Sequence, residues 1–391
     1  MPEAYLISAR RTAGGRRNGR LAFWHPADLG AAVLDALVAE SKVDPAAIDD
    51  VIIGCVSQIG EQTFALGRNV VLASSLPDSV PAVTIDRQCG SSQQALHFAA
   101  QAVMSGTQDL VIAGGVESMT RVPMGSPVTL PQAAGIGIGP FPPSILNRFG
   151  VSEFNQFTGA QMIADKYGFS REDHDRFALG SHRKAAAATD ARAFAAEMVP
   201  IPVKTAEGEQ IVHDRDEGIR ADSTLDTIAS VRLINPEGTL SAASASQVCD
   251  GASGVLVASA AAVKAHGLTP IARIVSLAVT AGDPVIMLEE PIPATRRVLD
   301  RAGLSLDDID LFEVNEAFAP IPLAWLKALG ADPDRLNVNG GGIALGHPLG
   351  ATGTKLMATL VHALRARGQR YGLQTMCEGG GVANATIIEA L

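Results

Sequence analysis

The 391-residue chain lacks any run of the roughly 20 apolar residues that a membrane-crossing helix needs, so its pattern excludes a span of that kind. A dense basic stripe is also missing and the formal net charge is −10, which excludes a general nucleic-acid binder but not an anionic small molecule held at a local basic spot. The four cysteines, Cys55, Cys89, Cys249 and Cys377, form no CxxC pair, so neither a disulfide framework nor a metal site is expected. No signal-peptide profile marks "MPEAYLISARRTAGG", and "IIEAL" is no peroxisomal address; the expected location is cytoplasmic. Two nucleotide-binding readings fail as well. "GHPLGATGTK" has no adjacent Gly-Lys, and "GIGIGP" (135–140) follows no clear strand.

What the chain does have is glycine (39 residues) and apolar side chains (47%), against only 18% charged residues. That balance describes a compact, turn-rich protein long enough for two or three domains. In "DRQCGSSQQAL" (86–96) a thiol stands in a polar turn. After it, Ala95, Leu96, Phe98, Ala99, Ala102 and Val103 recur at helical spacing up to a stop at Gly106, and "PAVTID" upstream reads as a strand. Cys89 is therefore expected at a helix start, where unpaired N–H groups and the helix dipole favour an anion and lower the thiol pKa. A small residue filling a turn is the plainer alternative. Cys55 and Cys249 read as packed or turn thiols.

Two distant stretches share a pattern, "VDPAAIDDVIIGCV" (43–56) and "LSLDDIDLFEVNEAF" (304–318), each after a helix-like segment (27–41 and 293–303). The Cys89 helix leads to "DLVIAGG", and "TKLMATLVHALRARG" (354–368) leads to "YGLQTMCEGGG". Each half thus implies a mixed α/β sheet. The first half is expected over residues 1–118 plus 248–268 and the second over 269–391. Residues 119–247, rich in Gly, Pro and polar residues, are too long for a loop and read as an inserted subdomain covering the site.

Three further segments carry chemistry: "EVNEAFA" (313–319), "NVNGGGIALGHPLGATG" (337–353) and "CEGGG" (377–381). Under the repeat, His347 stands roughly where Cys89 stands in the first half. A pseudo-symmetric fold would bring the two helix starts together, and a histidine facing a thiol can take its proton. The glycines around it fit close backbone approach of a substrate or a second chain segment.

These four motifs, in this order and spacing, resemble the thiolases, the acetyl-CoA C-acyltransferases, over nearly the whole chain. The resemblance implies a thiolase fold: two βαβαβαββ halves in an α/β/α/β/α stack with an inserted loop domain, assembled as a homodimer or homotetramer. It implies acyl-CoA and coenzyme A as substrates and no permanently bound cofactor. Residue by residue, Cys89 resembles the nucleophile that carries the acyl group and His347 the group that activates it. Cys377 resembles the acid/base at the α-carbon. Asn315 matches the asparagine that holds a water in one oxyanion hole, and the N–H groups of Cys89 and Gly379 would form the other. Glu316 would support the histidine loop.

Departures surround the acyl and pantetheine pocket. Ser92 replaces the glycine usual after the nucleophile. "AASASQVCDGA" (242–252) keeps a serine at Ser246 but has Gln247 for a glycine, and "NQFTGAQ" (155–161) has Asn155 for a histidine. Arg220 matches an arginine near the CoA adenine and phosphates, and Phe318 of the NEAFA motif completes the expected substrate-binding set. The changes resemble degradative members that take larger acyl chains, some of them sterol side chains. A decarboxylating ketoacyl synthase would lack Cys377 in its CxGGG turn; a silent acyl-CoA or lipid binder would not need all four reactive positions filled.

Overall fold

A computed structural model describes residues 3–204 and 208–391. The first half alternates β1 (Ala4–Thr12), α1 (Pro26–Ser41), β2 (Asp50–Gly54), α2 (Leu66–Ala73), β3 (Ala82–Ile85), α3 (Ser91–Ser105) and β4 (Leu110–Ser118). The insert carries α4 (Gln156–Tyr167) and α5 (Arg171–Asp190), after which β5 (Cys249–Ser259) returns to the first sheet. The second half follows as β6 (Ala272–Ala281), α6 (Pro291–Ala302), β7 (Leu311–Val314), α7 (Pro320–Leu329), α8 (Thr352–Arg367), β8 (Tyr371–Glu378) and β9 (Val382–Ala390).

The first sheet runs β3-β2-β4-β5-β1 and the second β7-β8-β9-β6, so the repeat expected from the sequence is present in strand order. Only β3 lacks a full counterpart. Its place is marked by a single bridge, Phe312 to Leu336, because a 3₁₀ turn at Pro333–Arg335 and the glycine loop use up the chain there. The two sheets join edge to edge where β1 meets β6, through Tyr5 opposite Arg273 and Leu6 opposite Ala272.

Packing gives the five layers. Leu29, Val33, Leu34 and Leu37 of α1 cover one face of the first sheet against Ile53, Ile112 and Leu256. Val298 and Leu299 of α6 and Trp325 of α7 cover the outer face of the second. Between the sheets lie α3 and α8, where Leu96, Ala99 and Val103 meet Met357, Leu360 and Val361. Leu6, Val111 and Val257 press on them from one side and Ile274, Leu311 and Ile388 from the other. Both faces of β4 are covered, so all nine of its residues are buried and it reads as a continuous apolar run instead of an alternating one. Burial of each large apolar side chain here contributes ~1.5–3 kcal/mol.

The helix ends follow local chemistry. α3 stops at Gly106, which takes the left-handed conformation (φ +76°), and α5 begins with a reciprocal capping box between Ser170 and Asp173. The insert is thus more regular than its composition suggests. Besides α4 and α5 it contains short helices at Ser126–Ala133 and Pro143–Phe149 and a hairpin of Ile201–Lys204 with Gln210–His213.

Candidate active site

The starts of α3 and α8 do meet. Thr354 N–H donates to Ser92 Oγ at 3.0 Å, and a Cβ on Gly353 would fall 2.1 Å from the backbone nitrogen of Gln93. The helices therefore cross in backbone contact, which only a glycine at 353 permits. Ser92, where a glycine is usual, is buried and used as an acceptor in this crossing.

Cys89 stands between β3 and α3 in a turn closed by Gly90 N–H to Arg87 O (3.1 Å) and Ser91 N–H to Gln88 O (3.0 Å). Gln88 has φ +48°, an uncommon conformation for a residue with a side chain. Ser91 Oγ accepts from Arg87 N–H and donates to Gln88 O, fixing both ends of the turn. Of the four thiols only Cys89 is partly open; Cys55, Cys249 and Cys377 are buried. The expected fall in its pKa does not occur. Desolvation pushes the Cys89 thiol up to about 12, with the Glu378 carboxyl adding to the rise. A helix dipole contributes ~0.3–1 kcal/mol at such a position, too little to offset burial. At rest Cys89 is a thiol, so its proton must leave when it reacts.

His347, in the turn before α8, is buried. Its Nδ1 lies 2.5 Å from Thr352 Oγ, whose own hydroxyl donates to Pro348 O at 2.9 Å. The threonine therefore accepts from Nδ1–H, which leaves Nε2 unprotonated and able to accept. Burial, aided by the Lys355 charge, lowers the imidazole pKa to about 3, so it is neutral. Lys355 also ties the loop by donating to Leu345 O (2.7 Å) and Gly346 O (2.9 Å). Asn315 follows β7; its Nδ2 lies 3.4 Å from His347 Nε2, and its Oδ1, buried, has no partner.

Cys377, near the end of β8, packs with Phe318, Met287 and Leu288, and desolvation followed by the nearby Cys89 drives its pKa well above the usual thiol range. Gly379 brings the CEGGG turn against the Cys89 turn: a Cβ there would sit 3.0 Å from Gln88 Oε1. Glu316 accepts from Asn337 Nδ2 (2.9 Å), Ser181 Oγ (2.6 Å) and Ile343 N–H (3.2 Å), binding the insert and the glycine loop to the NEAFA segment.

The remaining expected residues are spread around this centre. Ser246 N–H donates to Ala317 O (2.9 Å), and His347 N–H donates to Gln247 O (3.1 Å). The Gln247 amide is engaged with Gly218 O (2.9 Å) and Ile343 O (2.7 Å), so it braces the segment. Asn155 caps α4, its Oδ1 accepting from Phe157 N–H at 2.9 Å. Phe318 is buried edge-on against Phe157 at 5.3 Å between centroids. Arg220 is exposed, and among the described residues its guanidinium makes no ion pair; its N–H donates to His182 Nδ1 at 3.2 Å. Sequence reasoning missed Thr352, Lys355, Ser181 and Glu378. Only Glu378 left a signal, as the one charged residue in the strand "YGLQTMCE". No group of three or more metal-ligating side chains occurs among the described residues.

Two thiols and an unprotonated imidazole, carried at crossing helix starts of a doubled α/β sheet, are the residue types of acyl-transfer enzymes that work through a cysteine thioester. Residues 4–261 match the family model for the thiolase N-terminal domain and residues 268–390 that for the thiolase C-terminal domain. The chain belongs to the thiolase family and is an acyltransferase. It is 52% identical to the steroid 3-ketoacyl-CoA thiolase FadA6 of Mycobacterium tuberculosis, covering 100% of this chain and 95% of that protein. It is 40% identical to the 3-ketoacyl-CoA thiolase of Bacillus subtilis over 100% of both chains. The crystal structure of the Bacillus anthracis acetyl-CoA acetyltransferase superposes with a TM-score of 0.91 at 35% identity, covering 100% of this chain and 99% of that one.

Proposed function

We propose that this thiolase cleaves 3-oxoacyl-CoA thioesters with bulky or extended acyl groups, using Cys89, His347 and Cys377 in turn. The observation that carries the reading is the His347 tautomer: a neutral ring with its proton on Nδ1 and an unprotonated Nε2 that accepts only a long contact from Asn315 Nδ2. Cys89 gives its proton to Nε2 and its sulfur adds to the 3-keto carbon. The bond between the α and β carbons breaks, its electron pair leaving as the enolate of acetyl-CoA. Cys377, kept as a thiol by burial, protonates that carbanion, and the acyl group remains as the Cys89 thioester. Coenzyme A then gives its thiol proton to Cys377 and attacks the thioester; the departing Cys89 sulfur recovers its proton from His347.

Oxyanion donors aimed at the enolate oxygen are worth ~3–4 kcal/mol each in such sites. We assign the enolate oxygen to a water held by Asn315, and the oxyanion on the attacked 3-keto carbon to the N–H groups of Cys89 and Gly379. Arg220, Ser246 and the segment around Gln247 and Asn155 would border coenzyme A.

Support for a bulky acyl group comes from the insert. Phe154 stacks edge-on with Phe141 and Phe149, while Ile136, Ile138 and Leu130 are exposed, and we read these apolar side chains as surface for an extended acyl group. The likeness to a steroid 3-ketoacyl-CoA thiolase supports the same reading. Thiolysis rates on 3-oxoacyl-CoAs from four carbons to steroid size test it: kcat/KM should rise with acyl size, and a preference for the four-carbon substrate would refute it. A homodimer is the proposed assembly. The edge strand β3 is open, with Val83 44% exposed and Phe98 of α3 41% exposed beside that half's outer edge. Sedimentation giving a monomer would exclude it.

A further inference from the structure

Glu378 closes β8 one residue after Cys377, on the opposite face of the strand. It is completely buried, yet neither Oε1 nor Oε2 has a hydrogen-bond partner. Its carboxyl lies against the turn that carries the nucleophile: a Cβ on Gly90 would fall 1.8 Å from Oε1 and 2.4 Å from Cδ. Two other buried carboxyls close to this centre, Glu117 of β4 and Glu316 of the NEAFA motif, have donors. Glu117 accepts from Val56, Ser57 and Gly350 N–H groups, and Glu316 from three partners. Glu378 has no donor in hydrogen-bond geometry and only the Asn384 backbone N–H acting on it, and so poorly paired a carboxylate is disfavoured against the neutral acid.

The surrounding groups do not supply a counter-charge at contact. On the turn stand Asp86, Arg87 and Cys89; Arg87 opposes the rise in the Glu378 pKa but forms no ion pair with it. On its own strand stands Cys377, and α3 offers His97, which is neutral because burial lowers its pKa to about 3. β9 contributes the Asn384 backbone N–H, which with Arg87 opposes the rise without overcoming burial. The influence is mutual, since a charge on Glu378 would raise the thiols of both Cys89 and Cys377.

We propose that Glu378 is a positioning residue for the nucleophile: as a neutral acid packed on Gly90 it keeps the Cys89 turn free of negative charge at neutral pH, and its ionisation at alkaline pH holds the Cys89 thiol protonated. The proposal rests on Cys89 being the reactive thiol. It predicts an alkaline limit set by a residue that takes no part in bond making. The family motif specifies only that some residue stands between the cysteine and the glycines.

The test is the pH dependence of iodoacetamide alkylation at Cys89, read by peptide mass mapping in the wild-type enzyme and in Glu378→Gln. Near neutral pH the two rates should agree within about twofold. On the alkaline side the variant should react about tenfold faster, the equivalent of a one-unit difference in thiol pKa. Coincident profiles at all pH values overturn the proposal, as does a variant already tenfold faster at neutral pH, which would mean that Glu378 is charged at rest. Should Glu378→Gln fail to fold by circular dichroism, Glu378→Met supplies a second uncharged side chain of similar length for the same comparison. Acyl-enzyme formation from an acyl-CoA, followed in the same samples, is a separate readout. Its absence in the wild-type enzyme strikes the nucleophile assignment, whereas the alkylation profiles decide the role of Glu378.

Discussion

α3 and α8 occupy equivalent places in the two halves, and each is preceded by a turn bearing a side chain to which we assign chemistry, Cys89 in one and His347 in the other. The turn before α3 is short and polar, closes on itself through Ser91, and leaves Cys89 partly open. The turn before α8 is long and rich in glycine, and His347 is buried in it on a threonine and an asparagine. Burial acts on both but with opposite chemical results. It keeps the thiol protonated and the imidazole unprotonated, so a donor and an acceptor are prepared without any charge at rest. Doubling one structural unit and burying both copies is enough to produce the two complementary partners, provided the residue types differ.

The strongest way to break this comparison is to remove one thiol at a time. Cys89→Ala should form no acyl-enzyme. Cys377→Ala should still be acylated at Cys89 by an acyl-CoA, because that half-reaction breaks no carbon–carbon bond, but should stop exchanging the methyl protons of acetyl-CoA with deuterated solvent. Mass spectrometry and proton NMR read the two halves; rapid exchange without Cys377 would hand the acid/base work to another group.

Removing the acceptor comes next. His347→Ala should lower turnover by at least ~100-fold, on the scale of lost general-base catalysis. Because its pKa lies at about 3, far below the ordinary 6.5, the base stays unprotonated as pH falls through 6. The acid limb of kcat/KM should therefore not appear near 6.5 in the wild-type enzyme. A limb at that position, or near-normal kinetics in a folded His347→Ala, would return His347 to a structural role.

The smallest effect sharpens the geometry. Gly353→Ala drives a methyl into the backbone of α3 and should cost ~1–3 kcal/mol in urea unfolding, with a further loss of activity as the two turns move apart. Gly106→Ala, whose Cβ would meet open space, should cost only the ~1 kcal/mol of its left-handed conformation and leave turnover intact. Equal losses in both would mean that the helix crossing does not hold the site.

Much of this comparison is legible in the sequence, because it depends on local signals. The strand before Cys89, the helix from Ser91 and the stop at Gly106 are each set by residues within one or two turns of the chain. The parts that are not legible depend on partners far away. The direction of the Cys89 pKa is decided by burial and by Glu378, which arrives from the far end of the other half. Asn155 and Gln247 are expected from the sequence beside coenzyme A, but their polar atoms serve a helix cap and two loop carbonyls, which spacing alone does not reveal. Nor does it reveal that β1 joins the second sheet as well as the first.

The position of the insert has a consequence for how the molecule assembles. β4 pairs with β5 from Leu110 opposite Ala258 to Ser118 opposite Asp250, with the whole insert between them in the chain. β1 finds both of its main neighbours, β5 and β6, later still. During synthesis the first half has β2, β3 and β4 ready to pair, while β1 must wait, unpaired, until the insert has emerged. Such long-range pairing slows folding and leaves a strand exposed to wrong partners meanwhile. Closing a longer loop adds only ~0.6 kcal/mol per doubling of its length, however, so the insert can be enlarged or refurnished at little cost to the finished sheet. The same connection that delays folding leaves the insert free to diversify.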